Sequence, residues 1–87
     1  MPYKIEWHPK VRKFLKRLPK GTAVRIVKKA KAVQENPFRY LERLEGEHVY
    51  KLRIGSYRVL IDIDTNKKIL FVRVLDHRSK VYKQKSN

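Results

Sequence analysis

Val49-Tyr50-Lys51-Leu52-Arg53-Ile54-Gly55-Ser56-Tyr57-Arg58-Val59-Leu60-Ile61-Asp62-Ile63 reads as two strands folded about a tight turn. A two-residue link containing glycine, set between alternating runs, is the signal of a β-hairpin. With Gly55-Ser56 as the turn, Ile54 faces Tyr57, Arg53 faces Arg58, Leu52 faces Val59 and Lys51 faces Leu60. Side chains alternate across a strand. One face therefore collects Tyr50, Leu52, Ile54, Tyr57, Val59, Ile61 and Ile63, is almost wholly apolar, and must be covered. The opposite face carries Lys51, Arg53, Arg58, Leu60 and Asp62.

Downstream, Ile69 to Leu75 forms a third strand pattern, and Asn66-Lys67 suits a second turn. Straight pairing from that turn adds Leu70, Val72 and Val74 to the apolar face. It adds Phe71, Arg73 and Leu75 to the basic face, with Leu75 opposite Arg58. The tail from Asp76 to Asn87 is polar, and its end is expected to fray.

Upstream, Tyr3, Ile5 and Trp7 alternate with Lys4 and Glu6, a short strand. Pro9 suits the first turn of a helix, and Val11, Phe14, Leu15 and Leu18 form one apolar helical stripe. Pro19-Lys20-Gly21 breaks the chain. Ala23, Ile26, Val27, Ala30 and Val33 then make a second stripe, which ends before Asn36-Pro37. Phe38 to Glu47 reads as a connection with a helical turn. The order is β-α-α-β-β-β: an α+β domain, residues 1–87, with a helical hairpin on one face of a small antiparallel sheet.

Charge narrows the function. The 87 residues carry 23 Lys and Arg against 8 Asp and Glu, a formal net charge of +15. Between Trp7 and Gln34 there are ten basic residues and no acidic one. So basic a domain repels itself, and its natural partner is a polyanion, either nucleic acid or an acidic protein. There is no cysteine, which rules out disulfides and thiolate metal clusters and fits a reducing compartment. No apolar run marks a signal peptide or a membrane span. The expectation is a cytoplasmic protein with no membrane association.

Arg53 and Arg58 are cross-strand neighbours, and like charges so placed destabilise a sheet. Relief comes either from Asp62 and solvent or from a bound anion. Lys51, Arg53, Arg58 and Arg73 together resemble a phosphate cradle. Tyr82 follows closely enough to fold back over the same surface, either to stack on a single-stranded base or to pack the tail onto the sheet. His77 serves as a loop hydrogen-bonding residue or a substrate contact. His8 and His48 read as structural or simply exposed. Three scattered histidines lack ligand spacing for zinc, and three glycines form no phosphate loop. No metal or other cofactor is called for.

These residues also carry a resemblance. Leu44-Glu45-Gly46, then Tyr50-Lys51-Leu52-Arg53-Ile54-Gly55-Ser56-Tyr57-Arg58-Val59, resembles the core signature of the RelE/ParE toxin superfamily. Asp76-His77-Arg78-Ser79-Lys80-Val81-Tyr82 resembles its C-terminal motif. The sequence is most similar to the RelE branch of archaea and bacteria. That resemblance implies the toxin of a type II toxin–antitoxin system, a ribosome-dependent and metal-independent endoribonuclease that cleaves mRNA in the decoding site. It implies a RelB-type acidic antitoxin as partner, beside the ribosome and mRNA. In that chemistry a ribose 2′-hydroxyl attacks the adjacent phosphate.

By motif position, the resemblance assigns Lys51 to activation of the nucleophile and Arg58 to the phosphate. Arg53, Arg78 and Tyr82 complete the catalytic set, and Arg73, His77 and Lys80 contact substrate. Two departures stand out. Some family members have a second lysine where this chain has Arg53, and an arginine never deprotonates to serve as acid or base. The glutamate-histidine pair of other branches is not evident. Two other functions remain open: a ParE-like poison of DNA gyrase, and a nucleic-acid-binding module without catalysis.

Overall fold

Gly55 turns the first hairpin with φ of +58°, the left-handed backbone that glycine adopts without a steric penalty. From that turn the two strands pair as the alternation demands: Ile54 with Tyr57, Arg53 with Arg58, Leu52 with Val59, Lys51 with Leu60. In the computed structural model, which describes residues 2–44 and 49–77, the chain runs β1 (Lys4–Trp7), α1 (Pro9–Arg17), α2 (Lys20–Glu35), α3 (Pro37–Tyr40), β2 (Glu42–Arg43), β3 (Val49–Ile54), β4 (Tyr57–Asp64) and β5 (Ile69–His77). The α+β class and the helical hairpin on one sheet face stand.

The sheet is mixed, not purely antiparallel. Its order is β1-β5-β4-β3-β2. β1 lies parallel to β5, with Lys4 against Ile69 and Trp7 against Val72. Such a pairing needs a long connection; here the helices carry the chain to the far edge of the sheet, and β2, β3 and β4 lead back to β5. Two short elements lie between α2 and β3; the helical turn was expected of this connection and the strand was not. The connection after α2 contains the one-turn helix α3, and the two-residue strand β2 adds an edge to β3.

His8 caps α1: its Nδ1 accepts the Lys10 amide at 3.1 Å, while Pro9 sits where no amide donor is needed. Lys16 and Arg17 in the last turn favour the negative end of the helix dipole. The break between the helices is shorter than the Pro-Lys-Gly run suggested, because α2 already starts at Lys20.

Val11, Ile26 and Val33 from the helices meet Leu52, Ile54, Val59, Ile61, Leu70, Val72 and Leu75 from the sheet in one buried cluster. Each fully buried aliphatic side chain of this kind contributes about 1.5–3 kcal/mol. Val27, assigned to the buried stripe, is instead 38% exposed, on the outer side of α2.

The second hairpin corrects the sequence reading. Its turn spans Thr65 to Lys68, with Lys68 at φ of +56° and the Lys67 amide bonded to Asp64 Oδ1 at 2.9 Å. The register at first follows expectation, Asp64 with Ile69 through Ile61 with Val72. Then it shifts. Leu60 pairs with Val74, Val59 with Leu75 and Arg58 with Asp76, leaving Arg73 as the extra residue of a β-bulge. Leu75 therefore turns toward the helices and is only 5% exposed, while Val74 moves to the opposite face. The expected pairing of Leu75 with Arg58 does not occur. The physical gain is clear: the bulge buries a leucine and sets a carboxylate, instead of an aliphatic chain, opposite an arginine.

Candidate functional site

Lys51, Arg53 and Arg58 share the sheet face turned away from the helices, held there by the regular β3–β4 register. Asp62, Arg73, Val74 and Asp76 join them from β4 and β5. Arg58 is the unusual member. It is 2% exposed, although it lies on the face that none of the described helices covers. Its Nη1 donates to the Tyr57 carbonyl at 3.3 Å, and its Nε has no hydrogen-bond partner. A buried polar group left without a partner costs free energy, and a charged one costs more.

Lys51 is half-buried, and its ammonium lies 3.9 Å from Glu42 Oε2 on β2. Arg73 projects outward and forms a 3.0 Å ion pair with Asp62. Asp62 is thus engaged by Arg73, and Arg58 is faced by Arg53 from β3 and by Asp76 from β5. Arg53 is exposed.

His77 lies elsewhere. It pairs with Tyr57, and the two rings meet edge to face at 5.9 Å. Tyr57 in turn meets Phe14 of α1 at 6.3 Å. His77 therefore closes an aromatic row on the helix side of the sheet, away from Arg58. Arg78, Lys80 and Tyr82 lie outside the described residues, as does His48.

A groove of about 680 Å³ runs along the free edge of β5, where β1 has ended and α1 begins. Val49, Leu60, Arg73, Val74 and Asp76 line it from the sheet, and His8, Lys10 and Phe14 from α1. Its walls combine apolar surface with cations and one carboxylate, a lining suited to a flexible anionic chain carrying flat bases.

Sequence reasoning left two residues out of this site. Glu42 belongs to a strand too short to show a pattern. Asp76 was assigned to the tail because straight pairing ends one residue earlier.

Comparison with known proteins decides the family. The profile of the ParE toxin of type II toxin–antitoxin systems, parDE, matches residues 5–81. The chain belongs to the RelE/ParE toxin superfamily. The toxin is 30% identical to a protein named as toxin RelE1 of Methanocaldococcus jannaschii, over 95% of this chain and 98% of that one. Its structure matches that of the archaeal RelE–RelB complex of Pyrococcus horikoshii with a TM-score of 0.80 and 26% identity, covering 92% of this chain and 99% of the other. The RelBE2 toxin–antitoxin complex of Mycobacterium tuberculosis matches with a TM-score of 0.79 and 27% identity, covering 90% and 100%. The toxin is thus the toxin member of a type II toxin–antitoxin pair. Among its described residues no helix is long and apolar enough to cross a membrane.

Proposed function

We propose that this toxin is an endoribonuclease that cuts messenger RNA in the decoding site of the ribosome, in the cytoplasm. One observation carries the reading: Arg58, buried at 2% exposure with an unpartnered Nε, beside Arg53 and near Lys51 on the sheet face opposite the main core. A phosphate seated there supplies the missing acceptor and offsets the repulsion between the two arginines. As the scissile phosphate gains charge in the transition state, a fixed guanidinium stabilises it more than it stabilises the ground state. Lys51, Arg53 and Arg73 add to the same field, and Arg78 and Tyr82 complete the set by their place in the C-terminal motif. Lys80 contacts the substrate farther along, by its place in the same motif, whereas His77 points to the other side of the sheet.

We further propose an acidic RelB-type antitoxin as the partner that holds the toxin inactive. The relatives named above were solved as RelE–RelB and RelBE2 complexes. The net charge of +15 and the acid-free stretch from Trp7 to Gln34 favour an acidic chain that folds as it binds.

Mapping RNA ends in a reconstituted translation reaction tests the activity. New ends should form within translated codons and should vanish when ribosomes are omitted. Equal cutting of naked RNA argues against ribosome dependence. Inhibited DNA supercoiling without any RNA ends replaces this reading with that of a gyrase poison.

A further inference from the structure

On the sheet face opposite the main core, strand pairing lays out a row of side chains before the bulge begins. Glu6 of β1 pairs with Phe71 of β5, Phe71 with Asp62 of β4, and Asp62 with Val49 of β3. Phe71 is 36% exposed, a large apolar ring on a surface rich in charge. Phe38, the other exposed phenylalanine, meets Tyr50 edge to face, whereas among the described residues no aromatic ring or cation meets Phe71. Beside the ring, Asp62 is taken up by Arg73 at 3.0 Å. Glu6 is exposed, and no described cation forms an ion pair with it. The row lies four β4 positions from Arg58, about 13 Å along the strand. Leu60, Arg73 and Val74 of the groove lie between. An RNA strand whose phosphates rest on the exposed Arg53 and Arg73 therefore reaches Phe71 with a neighbouring nucleotide.

The charges around the ring decide what covers it. An acidic peptide is repelled by Glu6, and a basic one by the net charge of +15. A nucleobase is flat and uncharged, and its amino groups are donors for a carboxylate. We propose that Phe71 and Glu6 form a base subsite for the messenger strand: Phe71 stacks on one unpaired base, and the Glu6 carboxylate accepts from an amino group on the edge of that base. The subsite rests on the endoribonuclease reading above and adds to it a determinant of which sequences are cut.

The two residues divide the work. Stacking is tolerant of sequence, since every base has a π-face. A carboxylate is selective, because it only accepts hydrogen bonds. Cytosine, adenine and guanine each carry an exocyclic amino group. Uracil has none, and its pairing edge holds a single N–H between two carbonyl oxygens, which repel a carboxylate. Uracil is therefore the disfavoured base at this position. Neither residue takes part in the bond changes, so both act on how tightly the strand is held.

Single-turnover cleavage on programmed ribosomes, with toxin in excess and the messenger varied one base at a time, tests the subsite. Phe71→Leu keeps an apolar side chain and should keep the thermal transition. It should raise the half-saturating toxin concentration about 5- to 150-fold, the range for one lost base–aromatic stack. Phe71→Trp keeps a ring and should saturate as the wild type does. An abasic nucleotide at one messenger position should weaken the wild type to the level of Phe71→Leu, and weaken Phe71→Leu no further. At that position uracil should give the weakest wild-type cleavage. Glu6→Gln should narrow that gap, because its amide offers a donor to a uracil carbonyl. Wild-type saturation in Phe71→Leu overturns the stack, as does a Phe71→Trp protein as weak as Phe71→Leu. A loss in Phe71→Leu that no abasic position reproduces also overturns it, and puts a ribosomal group on the ring instead. A uracil gap unchanged in Glu6→Gln overturns the role of Glu6. Wild-type protein that makes no RNA ends overturns the endoribonuclease reading itself, so the failures are told apart.

Discussion

The two hairpins of this sheet share β4 and differ in one residue. The first, β3–β4, pairs without interruption from Ile54–Tyr57 to Val49–Asp62. The second, β4–β5, absorbs an extra residue at Arg73 and so changes which side chains face the helices. The regular hairpin builds the apolar wall and lines up Lys51, Arg53 and Arg58. The bulged one decides what stands opposite Arg58. Regular pairing lines up the cations, and the irregularity next to it sets a carboxylate across from one of them. Bulges commonly serve to re-aim a side chain beside a functional site.

Arg58 belongs to both hairpins, so its replacement has the largest expected effect. Arg58→Met keeps the aliphatic stem and removes the charge. We expect ribosome-dependent cleavage to fall about 10²- to 10³-fold, the usual loss on removing one stabiliser of transition-state charge. The thermal transition should persist, because the change also removes a buried Nε that lacks a partner. Loss of cleavage together with loss of the cooperative transition would make Arg58 a structural residue.

The bulge itself is exposed to a direct contest between neighbours. Leu75 is 5% exposed in the core cluster, so Leu75→Ala should cost about 2–5 kcal/mol of unfolding free energy. Val74→Ala, on the open face, should cost about 1 kcal/mol or less. Denaturant midpoints of the two variants distinguish the registers, because straight pairing without the bulge requires the reverse order.

The turn of the regular hairpin comes next. Gly55→Ala should cost about 1 kcal/mol, since a side chain at φ of +58° is strained. A Cβ there would meet Arg25 Nη2 at 3.0 Å, but that is the tip of a flexible side chain and can swing aside. If Gly55→Ala is neutral in thermal melts, backbone conformation does not set this turn.

The smallest effect belongs to Arg73→Ala, which removes an exposed ion pair with Asp62. Such pairs contribute about 0–1 kcal/mol, and added salt should reduce even that. A loss well above 1 kcal/mol in chemical denaturation would show that the bulge needs this side chain, and not only the extra backbone.

The same contrast explains what could be read in advance. The first hairpin was legible because the glycine and the alternation around it fix the turn and the register together. The helices were legible from their apolar spacing and from Pro9 and Pro37. In the second hairpin, Val72-Arg73-Val74-Leu75 continues a period of two, so nothing local marks Arg73 as extra. The available hint was non-local: straight pairing left a leucine against Arg58 and an aspartate one position too late. β1 was recognisable as a strand, but its parallel partner was not, because a four-residue strand carries no address. The basic cluster was legible as a cluster, whereas the burial of Arg58 and the engagement of Lys51 by Glu42 depend on packing between distant segments.

The parallel pairing of β1 with β5 also sets a timetable for synthesis. The strand made first, beginning at Lys4, waits for a partner that begins at Ile69. Until then Val11, Phe14 and the rest of the α1 stripe lack the strand they rest on, and contacts this distant in sequence form late. The open face is also incomplete, since Asp76 lies near the end of β5. A growing chain therefore cannot close this sheet until β5 has been made. An inhibitor already present in the cell meets the toxin at the moment the toxin first takes shape.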